Sequence, residues 1–213
     1  WPSLVWQISD WYLQCHAGFY AVRRGCEPIH VQFNADDRTL SVVNRTDHTA
    51  SELTLRAELF DLSMKPVWRR VETVSAQNQR ASATSWKVPQ TPGISFLKLR
   101  LNDAKGRPVS DNFYWLSDAN DFAPLAQLSG AKVVAKCSVR SKPAEPVQVT
   151  LTNQGSAPAL LVRVQLVERA LQVETLPTFW SDNYVHLLPG ETVTLTARVA
   201  PAEFPAHPAV VVS

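Results

Sequence analysis

The sequence predicts a mainly β protein: two successive series of short strands with β-sandwich texture, introduced by a short segment of different character. Three observations carry this. Apolar and polar residues alternate in short runs divided by turn-forming residues, the period-2 signature of half-buried strands. The same order of features occurs twice. No 3.6-residue periodicity is sustained, and 7 glycines and 15 prolines are scattered among 213 residues, which opposes a helical fold.

The first segment, Trp1 to about Pro28, holds three of the seven tryptophans, Trp1, Trp6 and Trp11. Within it AGFYAVRRGC (Ala17 to Cys26) suits a short amphipathic helix with Phe19 and Val22 on one face, stopped by Pro28. Strand texture starts at Ile29 to Phe33. It continues through Thr39 to Val43, Leu53 to Leu59, Val67 to Val74, Phe96 to Leu101 and Val109 to Leu116. Asn34, Asp36 and Asp37 mark one turn and Lys105 to Pro108 another. About seven strands in roughly 90 residues is the spacing of a sandwich.

After a connecting stretch, Ser117 to Gly130, a second series follows: Lys132 to Val139, Val147 to Thr152, Leu160 to Val167, Tyr184 to Leu188 and Thr192 to Val199. Asn153-Gln154-Gly155 and Pro189-Gly190-Glu191 supply turns. Each series has a strand, an asparagine turn (Asn44, Asn153) and then a long alternating strand, which suggests a loose duplication. Pro201 to Pro208 reads as extended surface chain.

Composition narrows the function classes. Apolar residues make up 45% of the chain, charged residues 19%, and the formal net charge is +2. The chain can therefore build packed cores, and it lacks the concentrated basic face of a nucleic-acid binder. No apolar run approaches the ~20 residues that span a bilayer, and no signal peptide opens it. A chain that starts at Trp1 without methionine reads as a fragment or processed product. Three cysteines, Cys15, Cys26 and Cys137, make no disulfide framework and lack Cys-x-x-Cys spacing; they read as small buried core residues. His16, His30, His48, His186 and His207 have no metal-ligand spacing and form no recognisable triad. No metal, cofactor, nucleic acid or membrane partner is expected. Asn44-Arg45-Thr46 matches a glycosylation sequon.

The segments WPSLVWQISDWY (Trp1 to Tyr12), AGFYAVRRGCEPIHVQFN (Ala17 to Asn34), DNFYWL (Asp111 to Leu116) and SDNYVHLLPGE (Ser181 to Glu191) resemble glycoside hydrolase family 2. The resemblance is to the branch holding β-mannosidases, mannosylglycoprotein endo-β-mannosidases and exo-β-D-glucosaminidases. It implies a modular retaining hydrolase whose two catalytic glutamates lie on strands of a (β/α)8 barrel. On that alignment residues 1–28 are the last strand-end and helix of the barrel. Residues 29–118 are an immunoglobulin-like β-sandwich, and residues 119–213 a second one with a C-terminal tail. A barrel needs about 250 residues, so the resemblance places both catalytic glutamates outside this chain. The remainder of the barrel becomes its partner, and a β-mannoside of Man-β-GlcNAc type the expected substrate, with exo-β-D-glucosaminidase as the alternative. A non-catalytic immunoglobulin-like binding or adhesion module is the reading from another class.

Retaining hydrolysis needs two carboxylates about 5 Å apart, and no glutamate pair in the sequence has a claim on that role; most glutamates fall in alternating strands or turns, on solvated faces. No catalytic residue is assigned. Two residues are candidates for sugar contact. Trp1, at the C-terminal end of a barrel strand, would offer an aromatic platform on the active-site face. Asp10 would hydrogen-bond near the rim, with a helix N-cap as its structural alternative. Trp6 and Trp11 read as core or interface packing residues. Trp180 to Tyr184 reads as a turn held by Asp182 and Asn183.

Overall fold

The computed structural model describes residues 8–138 and 145–213. It is almost entirely β, with one α-helix, α1 (Ala17–Gly25). The chain forms two compact units, one spanning Arg23–Leu128 and the other combining the residues up to Val22 with Ser129–Ser213; the division falls inside α1.

The first unit holds seven strands: β1 (Ile29–Phe33), β2 (Thr39–Asn44), β3 (Ala50–Asp61), β4 (Pro66–Ala76), β5 (Arg80–Lys87), β6 (Ile94–Asn102) and β7 (Pro108–Ser117). They form two antiparallel sheets, β1-β2-β5 and β4-β3-β6-β7. Alternation decides which side of each strand is buried. In β3 Leu53, Leu55, Ala57 and Leu59 are buried while Thr54, Arg56 and Glu58 are not, and they meet Leu40, Val42, Leu97, Leu99 and Leu101 in one core. A fully buried leucine contributes roughly 1.5–3 kcal/mol. β6 departs from clean alternation. Phe96 and Lys98 are buried as well: Phe96 stacks on Phe113 at 5.8 Å, and Lys98 Nζ reaches Asp111 at 3.1 Å.

The second unit continues with β8 (Val133–Ser138), β9 (Val147–Asn153), β10 (Ala159–Val162), β11 (Val164–Glu168), β12 (Val173–Glu174), β13 (Thr178–Trp180), β14 (Val185–Leu187), β15 (Thr192–Val199) and β16 (Pro208–Val212). Its sheets run β13-β15-β9-β8, β12-β11-β16 and β10-β14. Val149, Leu151, Val164, Leu166, Leu195 and Trp180 form its core. Beyond the expected surface tail, with which it shares only Pro208, the chain adds a strand, residues 208–212, paired to β11 from Val164↔Val212 to Glu168↔Pro208.

The duplication is visible at atomic level. Asn44 and Asn153 are 1% and 0% exposed. Each Nδ2 donates to the carbonyl four residues on, His48 or Ala157, and to one from a distant strand, Ala76 or Leu187. Each Oδ1 accepts the N–H two residues on, Thr46 or Gly155. The same side chain thus pins the same corner in both units. The asparagine of the sequon is fully committed to this corner, so the folded chain does not present it for glycosylation. At the second corner a Cβ on Gly155 would overlap the Gly130 carbonyl oxygen, so only glycine fits.

Other expectations need correction. The cysteines are not core residues: Cys15 is half-buried, Cys26 and Cys137 are exposed, and all three are free thiols. In α1 Tyr20 is the buried residue, and Val22 is 54% exposed. The register of the helix on its core is set by the larger ring.

Candidate functional site

The resemblance placed the sugar-contacting residues in the N-terminal segment. Trp1 lies outside the described residues, as does Trp6. From Ile8 onward the chain makes a tight hairpin, with Ser9 bridged to Cys15. Asp10 builds the turn. Its N–H donates to the Gln14 carbonyl, its carbonyl accepts from Leu13, and its Oδ1 accepts from Tyr12 and Gln14 N–H groups at 2.9 Å each. Leu13 takes φ 59° to close it.

The same device recurs at two strand hairpins. Asp61 Oδ1 accepts from Ser63 and Lys65 with Met64 at φ 65°, and Asp103 Oδ1 from Lys105 and Arg107 with Gly106 at φ 76°. At both, these hydrogen bonds hold the carboxyl below its usual range, led by the Ser63 hydroxyl for Asp61 and the Arg107 N–H for Asp103. Asp10 is therefore a turn former and not a helix N-cap. The helix begins only at Ala17, and the His16 ring Nδ1 accepts the Gly18 N–H at 3.0 Å in the capping role.

The hairpin and helix are anchored to the second unit by two groups. Tyr20 is 4% exposed within the core. Its ring meets Phe19 at 5.1 Å and Tyr184 at 6.1 Å, and burial pushes its phenol up to about 12 despite a hydrogen bond to Asn183. Glu174 Oε2 accepts from Gln14 Nε2, from Arg163 at 2.7 Å and from Gln165 at 2.8 Å. Arg163 also stands 6.0 Å over the Tyr184 ring. Asn183 ties this cluster to the backbone, exchanging two hydrogen bonds with Val164 at 2.8 Å each; it is a structural residue, though it acts across 19 positions and not within the local turn that was expected.

The opposite side of the hairpin is bare. Trp11 is 85% exposed, Tyr12 67% and Leu13 50%. Of the two packing roles expected for Trp11, this exposure excludes the core and leaves the interface. Three consecutive large apolar side chains are thus exposed together at the tip of the hairpin.

The glutamates with resolved partners are occupied structurally. Glu58 is not on a solvated face: it bonds Arg69 at 3.3 Å and Arg100 at 3.5 Å with a side chain 17% exposed. Glu174, with a side chain 14% exposed, serves the anchor above. Glu168 holds the His207 N–H, and Glu191 the Leu188 N–H. Burial raises the Glu27 carboxyl above its usual range, which would suit a catalytic acid. Ser110 Oγ donates to it at 2.7 Å while accepting from Val31 N–H, so it closes a sheet edge. No glutamate is registered opposite another in any described sheet. Among the described residues no cluster of His, Cys, Asp and Glu is arranged to hold a metal, and no helix is long and apolar enough to cross a membrane.

Glu174 and Tyr20 escaped the sequence reading as anchors. Gln14 and Glu174 are 160 positions apart, so no local pattern signals the pair.

The family model of the exo-β-D-glucosaminidase Ig-fold domain matches residues 112–213. Over 95% of its length the chain is 32% identical to the exo-β-D-glucosaminidase of Amycolatopsis orientalis, of which it spans 22%. It is 27% identical, over 85% of its length, to the mannosylglycoprotein endo-β-mannosidase of Lilium longiflorum, of which it spans 19%. The crystal structure of the Amycolatopsis orientalis exo-chitosanase superposes with a TM-score of 0.85 at 30% identity, covering 98% of this chain and 28% of that one. This chain is homologous to the C-terminal part of exo-β-D-glucosaminidases and related hydrolases of glycoside hydrolase family 2, and residues 112–213 belong to their immunoglobulin-fold domain.

Proposed function

We propose that the chain is the C-terminal accessory part of a retaining hydrolase that removes β-D-glucosamine units. It contributes two sandwiches and the end of a catalytic barrel, and both catalytic carboxylates lie in polypeptide beyond it. The observation that carries this reading is the bare Trp11-Tyr12-Leu13 tip on a hairpin fixed from behind by Glu174 and Tyr20. A free-standing sandwich pair has no use for three large side chains held out to water. A barrel terminus does, because the remaining barrel would cover them. On this reading residues 1–28 dock on the rest of the barrel, Trp1 lines the sugar pocket, and Asp10 shapes the loop beside it.

The relatives favour a glucosaminide over the β-mannoside that the family resemblance first suggested: the matching family model is that of a glucosaminidase Ig-fold domain, and identity is 32% over 95% of the chain to a glucosaminidase against 27% over 85% to an endo-β-mannosidase. Steady-state assay of the full-length enzyme tests this choice. Its kcat/KM on an aryl β-D-glucosaminide is expected to exceed that on the matching β-D-mannoside by more than about 100-fold, since a site built to bind an ammonium loses a charge-assisted contact with mannose. A preference for the mannoside would reverse the assignment.

A further inference from the structure

The two open sides of the first sandwich are finished differently. Where β1 meets β7, side chains of β7 seal the β1 backbone. Ser110 Oγ accepts from Val31 N–H at 3.3 Å, Tyr114 Oη from Phe33 N–H at 3.1 Å, and Asn112 Nδ2 donates to the Val31 carbonyl at 3.2 Å. On the other side β4 and β5 are both edge strands, and a cleft of about 270 Å³ opens beside them.

The residues around this cleft are unusual for their positions. Glu72 stands opposite Leu55, and Ser82 opposite Val42; both partners are core residues, 0% and 1% exposed. Directly opposed residues point to the same face, so Glu72 and Ser82 lie on the core-facing side of their edge strands, where a sandwich normally places apolar side chains, yet Glu72 is exposed and Ser82 half-buried, both open to the cleft. Between Ala83 and Lys87 β5 takes four steps while its partner takes two, from Ser41 to Thr39. This bulge presents Thr84 and Ser85 to the cleft. Thr84 Oγ1 is buried with no hydrogen-bond partner, a condition native proteins rarely leave without a reason. Among the described residues lining the cleft Glu72 alone ionises; Arg70, two residues away, is drawn over the Trp68 ring at 5.9 Å.

We propose that this cleft is a carbohydrate site, separate from the barrel, that takes an amino sugar: a short β-linked glucosamine oligosaccharide. Its protonated amine pairs with Glu72, and its hydroxyls satisfy Thr84, Ser82 and Ser75. The identity of the sugar rests on the glucosaminide reading above; the chemistry of the cleft, hydroxyls around a single carboxylate, is independent of it. The volume lies just below the roughly 300–1,000 Å³ of typical ligand pockets, so the site holds one or two sugar rings. Such a second contact keeps a polymer near the enzyme between cleavages by raising its effective concentration.

Amide chemical-shift mapping of the 213-residue chain tests the proposal, with the glucosamine tetrasaccharide, its N-acetylated form and mannotetraose as probes. The glucosamine tetrasaccharide is expected to give saturable shifts centred on residues 72–75 and 82–85. Glu72→Gln should weaken binding about tenfold, the scale of one charge-assisted hydrogen bond, and Thr84→Val should weaken it too while the spectrum stays folded. Absence of saturable shifts, or shifts indifferent to Glu72→Gln, overturns the site. So does a response to an added peptide strand along β4 in place of the sugar. Equal binding of the N-acetylated form or of mannotetraose overturns the amino-sugar assignment. If the full-length enzyme cleaves glucosaminides while this chain shows no shifts, the cleft proposal fails and the proposed function stands.

Discussion

Asn153→Ala is expected to destabilise the second sandwich by about 3–5 kcal/mol. The side chain is 0% exposed and makes four hydrogen bonds, to the N–H groups of Lys132 and Gly155 and the carbonyls of Ala157 and Leu187, between 2.8 and 3.2 Å. Alanine leaves buried backbone groups unpaired, each at about 1–3 kcal/mol, with partial relief where water can enter. Domains of this size are stable by only about 5–15 kcal/mol, so the change is a large fraction of the total. Asn44→Ala should act alike on the first sandwich, because its amide holds His48 and Ala76 in the same manner. Asn153→Asp should also destabilise, since it keeps the acceptor but loses both donors. Urea denaturation of the three variants reads these losses. A shift under about 1 kcal/mol for Asn153→Ala would mean that the corner is held by other contacts.

Tyr20→Ala is expected to release the N-terminal hairpin and helix from the second unit. The ring is 4% exposed in the core and contacts Phe19 and Tyr184; removing a buried aromatic ring costs about 3–5 kcal/mol. Glu174→Ala should loosen the same segment from the other side, because Arg163, with a side chain 25% exposed, then keeps its charge without this carboxylate. Limited proteolysis after Arg23 or Arg24 distinguishes release from global unfolding. Both variants should be cut there faster while β9 and β15 stay protected. Unchanged cleavage rates would show that the segment is held elsewhere.

The sequence disclosed much of the architecture where chemistry is local. The alternation of Leu53, Leu55, Ala57 and Leu59 read directly as one face of β3. The paired asparagine turns were legible because an Asn before a long alternating strand is itself a corner signal. Strand β5, RASATSWK, was not: its one large apolar residue is Trp86, and its small hydroxyl residues look like loop. Those hydroxyls line the open cleft, so the missing strand signal and the cleft have the same origin. β16 was missed because prolines on its approach imitate a tail, while its strand character comes from pairing with β11. The Asp10 turn was legible in kind only, since Asp suits both a helix cap and an Asx-type turn. The Glu174 anchor joins residues too distant in sequence for any window to see.

The position of the catalytic carboxylates, in polypeptide beyond this chain, is open to direct measurement. Hydrolysis of an aryl β-D-glucosaminide, measured with the purified 213-residue chain alone and again after the upstream polypeptide is restored, tests it in one experiment. The chain alone is expected to release no product above a mock preparation, and the restored enzyme to turn over at roughly 1–10³ s⁻¹. Turnover by the 213-residue chain on its own would contradict this placement, because it would require a carboxylate pair where no glutamate is registered opposite another in any described sheet.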